Sequence, residues 1–215
     1  MRDSIESSDL AERHSPTWAQ WVSDVFSPLL IPVYGMVIAL WCTDMRSLPE
    51  DGRVIATIIV GIISGFIPFV TIAFLIKTGK VHTRSIANPR ERFLPMSIGA
   101  VCYLAAGTFV KSAGAPMWLV SFFVAAAIAT GIAMAVTTRW KISAHATAVG
   151  GLAGMTAWCV CHGTADIEAV IELSIVILIA GLVATSRLLL QRHTMGQVLA
   201  GLALGFACCF SLMFI

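Results

Sequence analysis

Charged side chains are scarce in this sequence. Asp, Glu, Lys and Arg together make up 12% of the 215 residues, whereas hydrophobic residues make up 58% and the mean hydropathy is +0.87. A protein folded in water could not cover so much apolar material with so few polar residues. The composition therefore excludes a water-soluble domain and indicates an integral membrane protein.

The chain also lacks the features of processed, disulfide-bonded or haem-carrying proteins. Its first 20 residues mix both charge signs without a short apolar core and cleavage site, so we expect no cleaved signal. The six cysteines lie in or beside apolar segments, where free cysteine packs as a small hydrophobe, so we expect no disulfide framework. Cys159, Cys161 and His162 form C-x-C-H, which is not the C-x-x-C-H of haem attachment. The sequence thus predicts neither a cofactor nor a metal site.

Long apolar segments follow one another along the chain. They lie at about 24–43, 54–76, 94–110, 116–138, 144–161, 167–185 and 195–215. A helix needs roughly 20 apolar residues to cross a bilayer, and inside the bilayer every backbone group must be paired within the protein. We therefore predict an all-α, polytopic membrane helical bundle of about six or seven transmembrane helices. Residues 1–215 are expected to form one domain, with 1–20 as a polar N-terminal segment.

Two local patterns refine this prediction. Pro28 and Pro32 interrupt the first apolar segment near Trp18 and Trp21, so part of it should be kinked or lie at the membrane interface. Glycines spaced four apart should let helices approach closely, as small residues do at membrane helix contacts. They are the pairs Gly61 and Gly65, Gly150 and Gly154, and Gly201 and Gly205.

Basic residues concentrate in loops that alternation of the helices places on one side of the membrane. These loops are 77–93, 139–143 and 186–194, and they also carry the two histidines His145 and His193 at or beside their ends. The opposite loops have Arg46, Arg53 and Lys111. A basic face with histidines suits an anionic ligand. The positive-inside bias of membrane proteins would produce the same asymmetry without any ligand.

Short motifs in the basic loops favour the ligand-binding interpretation. Residues 141–145 read KISAH and residues 186–197 read SRLLLQRHTMGQ. They resemble the PSGH and SRxxxxxHxxxD motifs of the type 2 phosphatidic acid phosphatase superfamily. In the first, Ser143 and His145 match and Ala144 stands at the glycine position.

The second motif matches at Ser186, Arg187 and His193 with the required spacing. A third motif of the family, KxxxxxxRP, is met loosely by NPRERFLP, where Arg92 supplies the arginine and Ser85 occupies the lysine position. The order and spacing of all three motifs are kept between about residues 84 and 197.

The resemblance implies a phosphate-handling site with defined roles. His193 would be the nucleophile that becomes a phosphohistidine, and His145 the general acid and then the general base. Arg187 and Arg92 would clamp the phosphate, a task that Arg84 or Arg90 could take over from Arg92.

The substrate-binding set also includes residues around the start of the fifth apolar segment. Ser143, Ala144 and the first backbone N–H groups of that helix would form an anion site, and Ser186 would join it by resemblance. Lys141 could replace the lysine that the third motif lacks. Ser143 has an alternative role as a simple helix N-cap.

Gln197 departs from the family pattern, in which an aspartate orients the nucleophilic histidine. One turn of helix separates it from His193, so its carbonyl can still accept the imidazole N–H, although it brings no negative charge. Thr194 and Gln197 also form the T-x-x-Q pattern of a helix capping box. The sequence leaves both interpretations open.

The predicted function is that of a metal-independent hydrolase in the cell membrane, a phosphatase acting on a lipid phosphate or diphosphate through a phosphohistidine. The partners are then the lipid bilayer and a membrane lipid phosphate, with no nucleic acid. The alternative is a catalytically silent membrane protein that binds or moves an anionic lipid, and a small transporter is a third class. The positive-inside rule places the motif face in the cytoplasm, whereas superfamily members usually face outward, so the side is left open.

Overall fold

The computed structural model describes residues 16–79, 89–162 and 167–213, without the side chains of residues 89–91 and 167–168. Its regular structure is helical, and the described ranges contain no β-strand, so the predicted all-α class is confirmed. Numbered in chain order, the helices are α1 Thr17–Val25, α2 Ile31–Trp41, α3 Glu50–Lys77, α4 Pro89–Ser112, α5 Met117–Thr137, α6 Ala144–His162, α7 Ile167–Leu189 and α8 Met195–Leu212.

The first apolar segment, 24–43, is interrupted as Pro28 and Pro32 predicted, and it contains the end of α1, an irregular stretch and the short helix α2. Residues 26–30 break it, and they include Pro28, which cannot donate a backbone hydrogen bond. Pro32 starts α2 at a position where proline is tolerated. A 3₁₀ turn, Asp44–Ser47, then leads to α3, whose middle contains a π-helical turn at Ile62–Phe66.

Helices of membrane-spanning length and composition make up most of the bundle. Those that qualify among the described residues are Glu50–Lys77, Arg92–Ser112, Met117–Thr137, Ala169–Leu189 and Met195–Leu212. Their outer faces are apolar, and Phe66 and Leu178 are 62% and 73% exposed. In water such a surface would aggregate, so it fits a lipid environment. A multi-pass membrane protein is thereby supported, with five candidate spans.

The α6 helix lies at the centre of the bundle. It packs against α2, α5, α7 and α8, and most of its residues are buried. It is 19 residues long but does not count among the candidate spans, because glycines, threonines and the terminal histidines lower its hydropathy. Neighbouring helices rather than lipid surround α6. Its glycines and alanines allow these helices to pack closely against it.

Glycines bring the backbones of α6 and α8 into direct contact. A Cβ atom at Gly154 would lie 2.6 Å from the carbonyl oxygen of Phe206, and one at Gly201 would lie 2.8 Å from that of Ser143. Two of the predicted glycine pairs therefore serve one helix contact, as expected for small residues between membrane helices. The contact aligns the N-terminal ends of α6 and α8 side by side.

The α6–α8 contact predicts the effect of adding one methyl group. Gly205→Ala should destabilise the protein by about 1–3 kcal/mol or more, because the methyl would overlap the carbonyl oxygen of Thr147 in the facing helix. Thermal unfolding of the detergent-solubilised chain measures this loss. The matched control is Gly181→Ala in α7, where an added Cβ meets nothing within 4 Å and helix propensity should raise stability by up to about 1 kcal/mol. Equal midpoints for the two variants would contradict the close contact.

Candidate active site

The polar residues singled out by the sequence gather at one end of the bundle. Electrostatic interactions link Lys141 with Arg92 and Arg187. They also link His145 with His193 and with the same two arginines. These side chains come from the start of α4, the α5–α6 loop, the first turn of α6, the last turn of α7 and the α7–α8 loop. Residues far apart in sequence therefore form one basic cluster containing two imidazoles.

The turn between α7 and α8 places His193 inside this cluster. Gln191 adopts a left-handed conformation, with φ of 50°, and the Arg192 N–H bonds to the carbonyl oxygen of Arg187. This is the Schellman arrangement that ends many helices. The chain reverses within a few residues and carries His193 back towards α6, where its side chain is only 8% exposed.

Gln197 holds the His193 ring while it caps α8. Its Oε1 atom lies 3.2 Å from Nδ1 of His193 and also accepts the backbone N–H of Thr194 at 3.2 Å. The carbonyl oxygen of Lys141 lies 3.3 Å from the same ring nitrogen. The contacts required by both interpretations of Gln197 are therefore present in one side chain, and its catalytic role stays a prediction.

These contacts determine which ring nitrogen of His193 carries the proton. The Thr194 N–H is a donor, so the Gln197 atom it meets must be the oxygen, and the Lys141 carbonyl is likewise an acceptor. Nδ1 of His193, facing two acceptors, must be the donor. In the neutral ring this leaves the lone pair on Nε2, and a lone pair is what a nucleophile requires.

The surroundings favour the neutral form of His193. Burial, followed by the positive charges of Arg187, Arg92 and Lys141, lowers the pKa of His193 to about 4. Burial and the charge of Arg92 likewise lower the pKa of Lys141. Both pKa shifts have the same two causes, burial first and then the positive charges of neighbouring side chains. An anion bound there would relieve this repulsion.

Buried donors in the last turn of α7 point to a place for such an anion. Other hydroxyls in this protein, such as that of Thr185, donate to the carbonyl oxygen four residues earlier. The Ser186 hydroxyl is fully buried and has no hydrogen-bond partner among the described residues, and neither does Nε of Arg187. Buried polar groups are nearly always paired, so these two donors call for an acceptor that a ligand can supply.

Ser143 and Ala144 occupy the start of α6, beside the cluster. The Ser143 hydroxyl accepts the backbone N–H of Ala146 at 3.3 Å, which is the N-cap role, and Ser143 itself is fully buried. Its backbone N–H donates to the carbonyl oxygen of Gln197 at 3.3 Å, so it ties α6 to α8. Ser143 therefore shapes the site through its backbone and cap, and the expected direct hydroxyl contact with a phosphate stays a prediction.

Part of the expected arginine loop lies outside the described residues. This holds for Arg84 and Ser85, and for the side chain of Arg90. Arg92 is half-buried and belongs to the cluster. Of the arginines considered for the clamp, the structure thus brings Arg187 and Arg92 together.

Residues of α1 also reach the site, although they belong to none of the three sequence motifs. The Ser23 hydroxyl accepts a hydrogen bond from Nη1 of Arg187, and the backbone of Ser23 bonds the His145 imidazole. The charge of Asp24 also acts on Arg187. A weak signal was present, since Ala19 and Ser23 form a small-residue face four residues apart in a segment with exposed tryptophans.

An apolar cavity of about 170 Å³ begins beside the site and extends into the bundle. Ala144 and Thr147 of α6 line it near the polar cluster, and Gly99 of α4 lines it farther in. Its remaining wall comes from residues such as Pro28, Tyr103 and Phe122, so a hydrocarbon group would meet almost only apolar atoms. The charged cluster and the apolar cavity together match an amphiphilic molecule.

No protein-family model matches the chain, and comparisons with curated proteins and with solved structures found no match. Within the described residues, no three His, Cys, Asp or Glu side chains are grouped so that they could hold a metal ion.

The contact between Gln197 and His193 can be tested without any activity. Gln197→Glu keeps the shape of the side chain but places a carboxylate beside Nδ1, which should raise the pKa of His193 by roughly 1–3 pH units. Gln197→Ala should leave that pKa low and reduce stability by about 1 kcal/mol or less through loss of the cap. Nuclear magnetic resonance of histidine-labelled protein in micelles measures the titration, with the His162 signal as an internal control. Identical His193 titration in the parent and Gln197→Glu would show that residue 197 does not hold the ring.

Proposed function

We propose that this protein is a metal-independent phosphatase that hydrolyses a membrane lipid phosphate or diphosphate through a phosphohistidine on His193. The observation that carries the proposal is the setting of His193: a buried, neutral imidazole with Nδ1 held by two acceptors, surrounded by Arg187, Arg92 and Lys141. The resemblance of the motifs to the type 2 phosphatidic acid phosphatase superfamily supports the same chemistry.

The reaction follows from the placement of the two imidazoles. Nε2 of His193 attacks phosphorus, and the bond from phosphorus to the lipid oxygen breaks while His145 gives that oxygen a proton. A water molecule then attacks the phosphohistidine, His145 takes a proton from it, and the P–N bond breaks to release inorganic phosphate and free His193. The arginines stabilise the charge on the phosphoryl oxygens throughout.

Substrate binding prepares His145 for its first task. Burial opposes a positive charge on this imidazole, and the charges of Arg187 and Arg92 oppose it further. The negative charge of a bound phosphate favours the protonated form of His145, which the first step requires. Proton donation is thereby coupled to the presence of the anionic substrate.

The apolar cavity supports a lipid as the substrate. Ala144 lines the cavity and is the neighbour of His145 in the basic cluster, so a lipid whose phosphate lies at His193 would have the first part of its chain beside this cavity. The chemistry fits a phosphate monoester or a diphosphate attached to a hydrocarbon chain. In this arrangement α6 acts as a sixth span enclosed by the others, and the motif loops lie at the depth of the lipid headgroups.

A catalytically silent lipid-binding protein is the second candidate function. The observation that favours it is Gln197, because the oxygen that holds His193 carries no charge to stabilise a phosphorylated, cationic ring. Such a protein would keep the basic cluster and the cavity but release no phosphate. Turnover by the parent protein distinguishes the two functions.

Replacing the nucleophile should abolish the reaction. His193→Gln keeps a polar, hydrogen-bonding side chain but has no ring nitrogen to accept the phosphoryl group, so phosphate release from lipid phosphates should fall to background. Release is measured with purified protein in mixed micelles, with His162→Gln as the control variant. Vanadate, which mimics the phosphoryl group in transfer, should inhibit the parent, and EDTA should not. Undiminished release by His193→Gln would remove the mechanism.

Filling the cavity should discriminate between long and short substrates. An added Cβ at Gly99 meets nothing within 4 Å, so Gly99→Leu can extend into the cavity without a backbone clash. It should reduce turnover of a long-chain lipid phosphate while leaving that of a short-chain, water-soluble phosphate ester near the parent value. Gly181→Leu, on α7 and away from the cavity, makes the same substitution in open space and should change neither. Equal loss on both substrates, or no loss on either, would exclude the cavity as the chain site.

A further inference from the structure

The α1 helix lies against the end of α7 that carries the proposed phosphate clamp. Its buried face contains Ala19 and Ser23, which are 0% and 2% exposed. The other side of the helix exposes Trp18 and Trp21, side chains that favour the interface between membrane and water. One face of α1 therefore buries the small polar side chain of Ser23 against the bundle, while the other face exposes Trp18 and Trp21.

Two contacts join Ser23 to both halves of the site. Its hydroxyl oxygen accepts from Nη1 of Arg187, and its backbone bonds the His145 imidazole. The Nε group of Arg187 has no hydrogen-bond partner among the described residues, although it is buried. One edge of the guanidinium is therefore held by α1, and a buried N–H donor of the same group is left for a ligand.

From this geometry we infer that Ser23 is a positioning residue of the phosphate site, and that α1 belongs to the functional unit. The inference rests on the proposed function, because the ligand it serves is a phosphoryl group. The guanidinium is planar with a fixed fork of donors, so fixing Nη1 also fixes the direction of Nε. The backbone of the same residue also contacts His145, so α1 lies against both the arginine and the second imidazole.

The neutral hydroxyl is suited to this task because it does not compete with the substrate. A carboxylate in its place would pair with Arg187 and cancel the positive charge that the phosphate needs. The neighbouring Asp24 is exposed, and its Oδ1 accepts from Nε2 of Gln20 at 2.8 Å. The charge of Asp24 acts on Arg187 from this position, but its carboxylate does not take the place of the Ser23 hydroxyl at Nη1.

The rest of the molecule holds α1 in place. The Tyr34 hydroxyl in α2 donates to the carbonyl oxygen of Val25 at 2.9 Å, at the end of α1. The Tyr103 hydroxyl in α4 donates to the carbonyl oxygen of Pro28 at 2.7 Å, in the following connection. Both tyrosines anchor the segment around Ser23. The position of α1 is therefore maintained by these contacts as well as by the hydrogen bond between Ser23 and Arg187.

Vanadate binding to the full, detergent-solubilised chain tests the inference. Ser23→Ala should weaken vanadate binding by about tenfold, the order expected for losing one hydrogen bond to a charged group. Ser23→Thr, which restores a hydroxyl, should recover most of the affinity, whereas Ser23→Asp should bind more weakly than Ser23→Ala. The control is Ser27→Ala, which removes a hydroxyl four residues along the chain. Affinity is read from the vanadate concentration that raises the unfolding midpoint, and the midpoint without vanadate reports any purely structural effect.

The outcomes separate the inference from the proposed function. Equal vanadate affinity of the parent and Ser23→Ala overturns the positioning role. Tighter binding by Ser23→Ala also overturns it, because the contact would then be inhibitory. If the parent binds vanadate but releases no phosphate from lipids, the phosphatase proposal fails while Ser23 is still judged by affinity. A parent that binds no vanadate overturns the inference, and phosphate release then decides the proposed function alone.

Discussion

The backbone contact between α6 and α8 is the constraint on which the arrangement of the site depends. Glycines on both helices replace side chains at the crossing, so the helices approach until carbonyl groups of one meet Cα atoms of the other. The same contact aligns the start of α6, with Ser143 and His145, beside the start of α8, with Gln197. The α7–α8 turn then has little freedom, and the ring of His193 comes to rest between the two helix ends. Packing of small residues in the membrane interior thus determines polar geometry at its surface.

Electrostatics gives this geometry its chemical character. Several cations share a partly buried region, which is unfavourable for the protein alone and favourable once an anion enters. The neutral state of His193 and the uncharged oxygen of Gln197 fit the same pattern, since neither adds a charge of either sign before the ligand binds. The clustered positive charges would thus lower the stability of the protein alone and raise its affinity for an anion, a combination that is common at functional sites.

The polar and apolar parts of the candidate site come from different parts of the fold. The basic cluster is formed by helix ends and loops, whereas the cavity is formed by the sides of helices, with glycine and alanine providing the space. The α1 helix lies over the polar part, and the helix that exposes Trp18 and Trp21 is also the one whose Ser23 contacts Arg187.

Sequence alone determined the class of the protein and most of the candidate site. Hydrophobic length predicted the helices, because a bilayer requires spans of a given length, and alternation placed His145, His193 and Arg187 on one side. The prolines predicted the break in the first segment, but the burial of α6 was not predictable, since it depends on which neighbours cover that helix. The two contacts of Gln197 and the contact of Ser23 with Arg187 are likewise set by tertiary structure. Ser23 lies 164 positions from Arg187, and no local pattern connects residues so far apart in the chain.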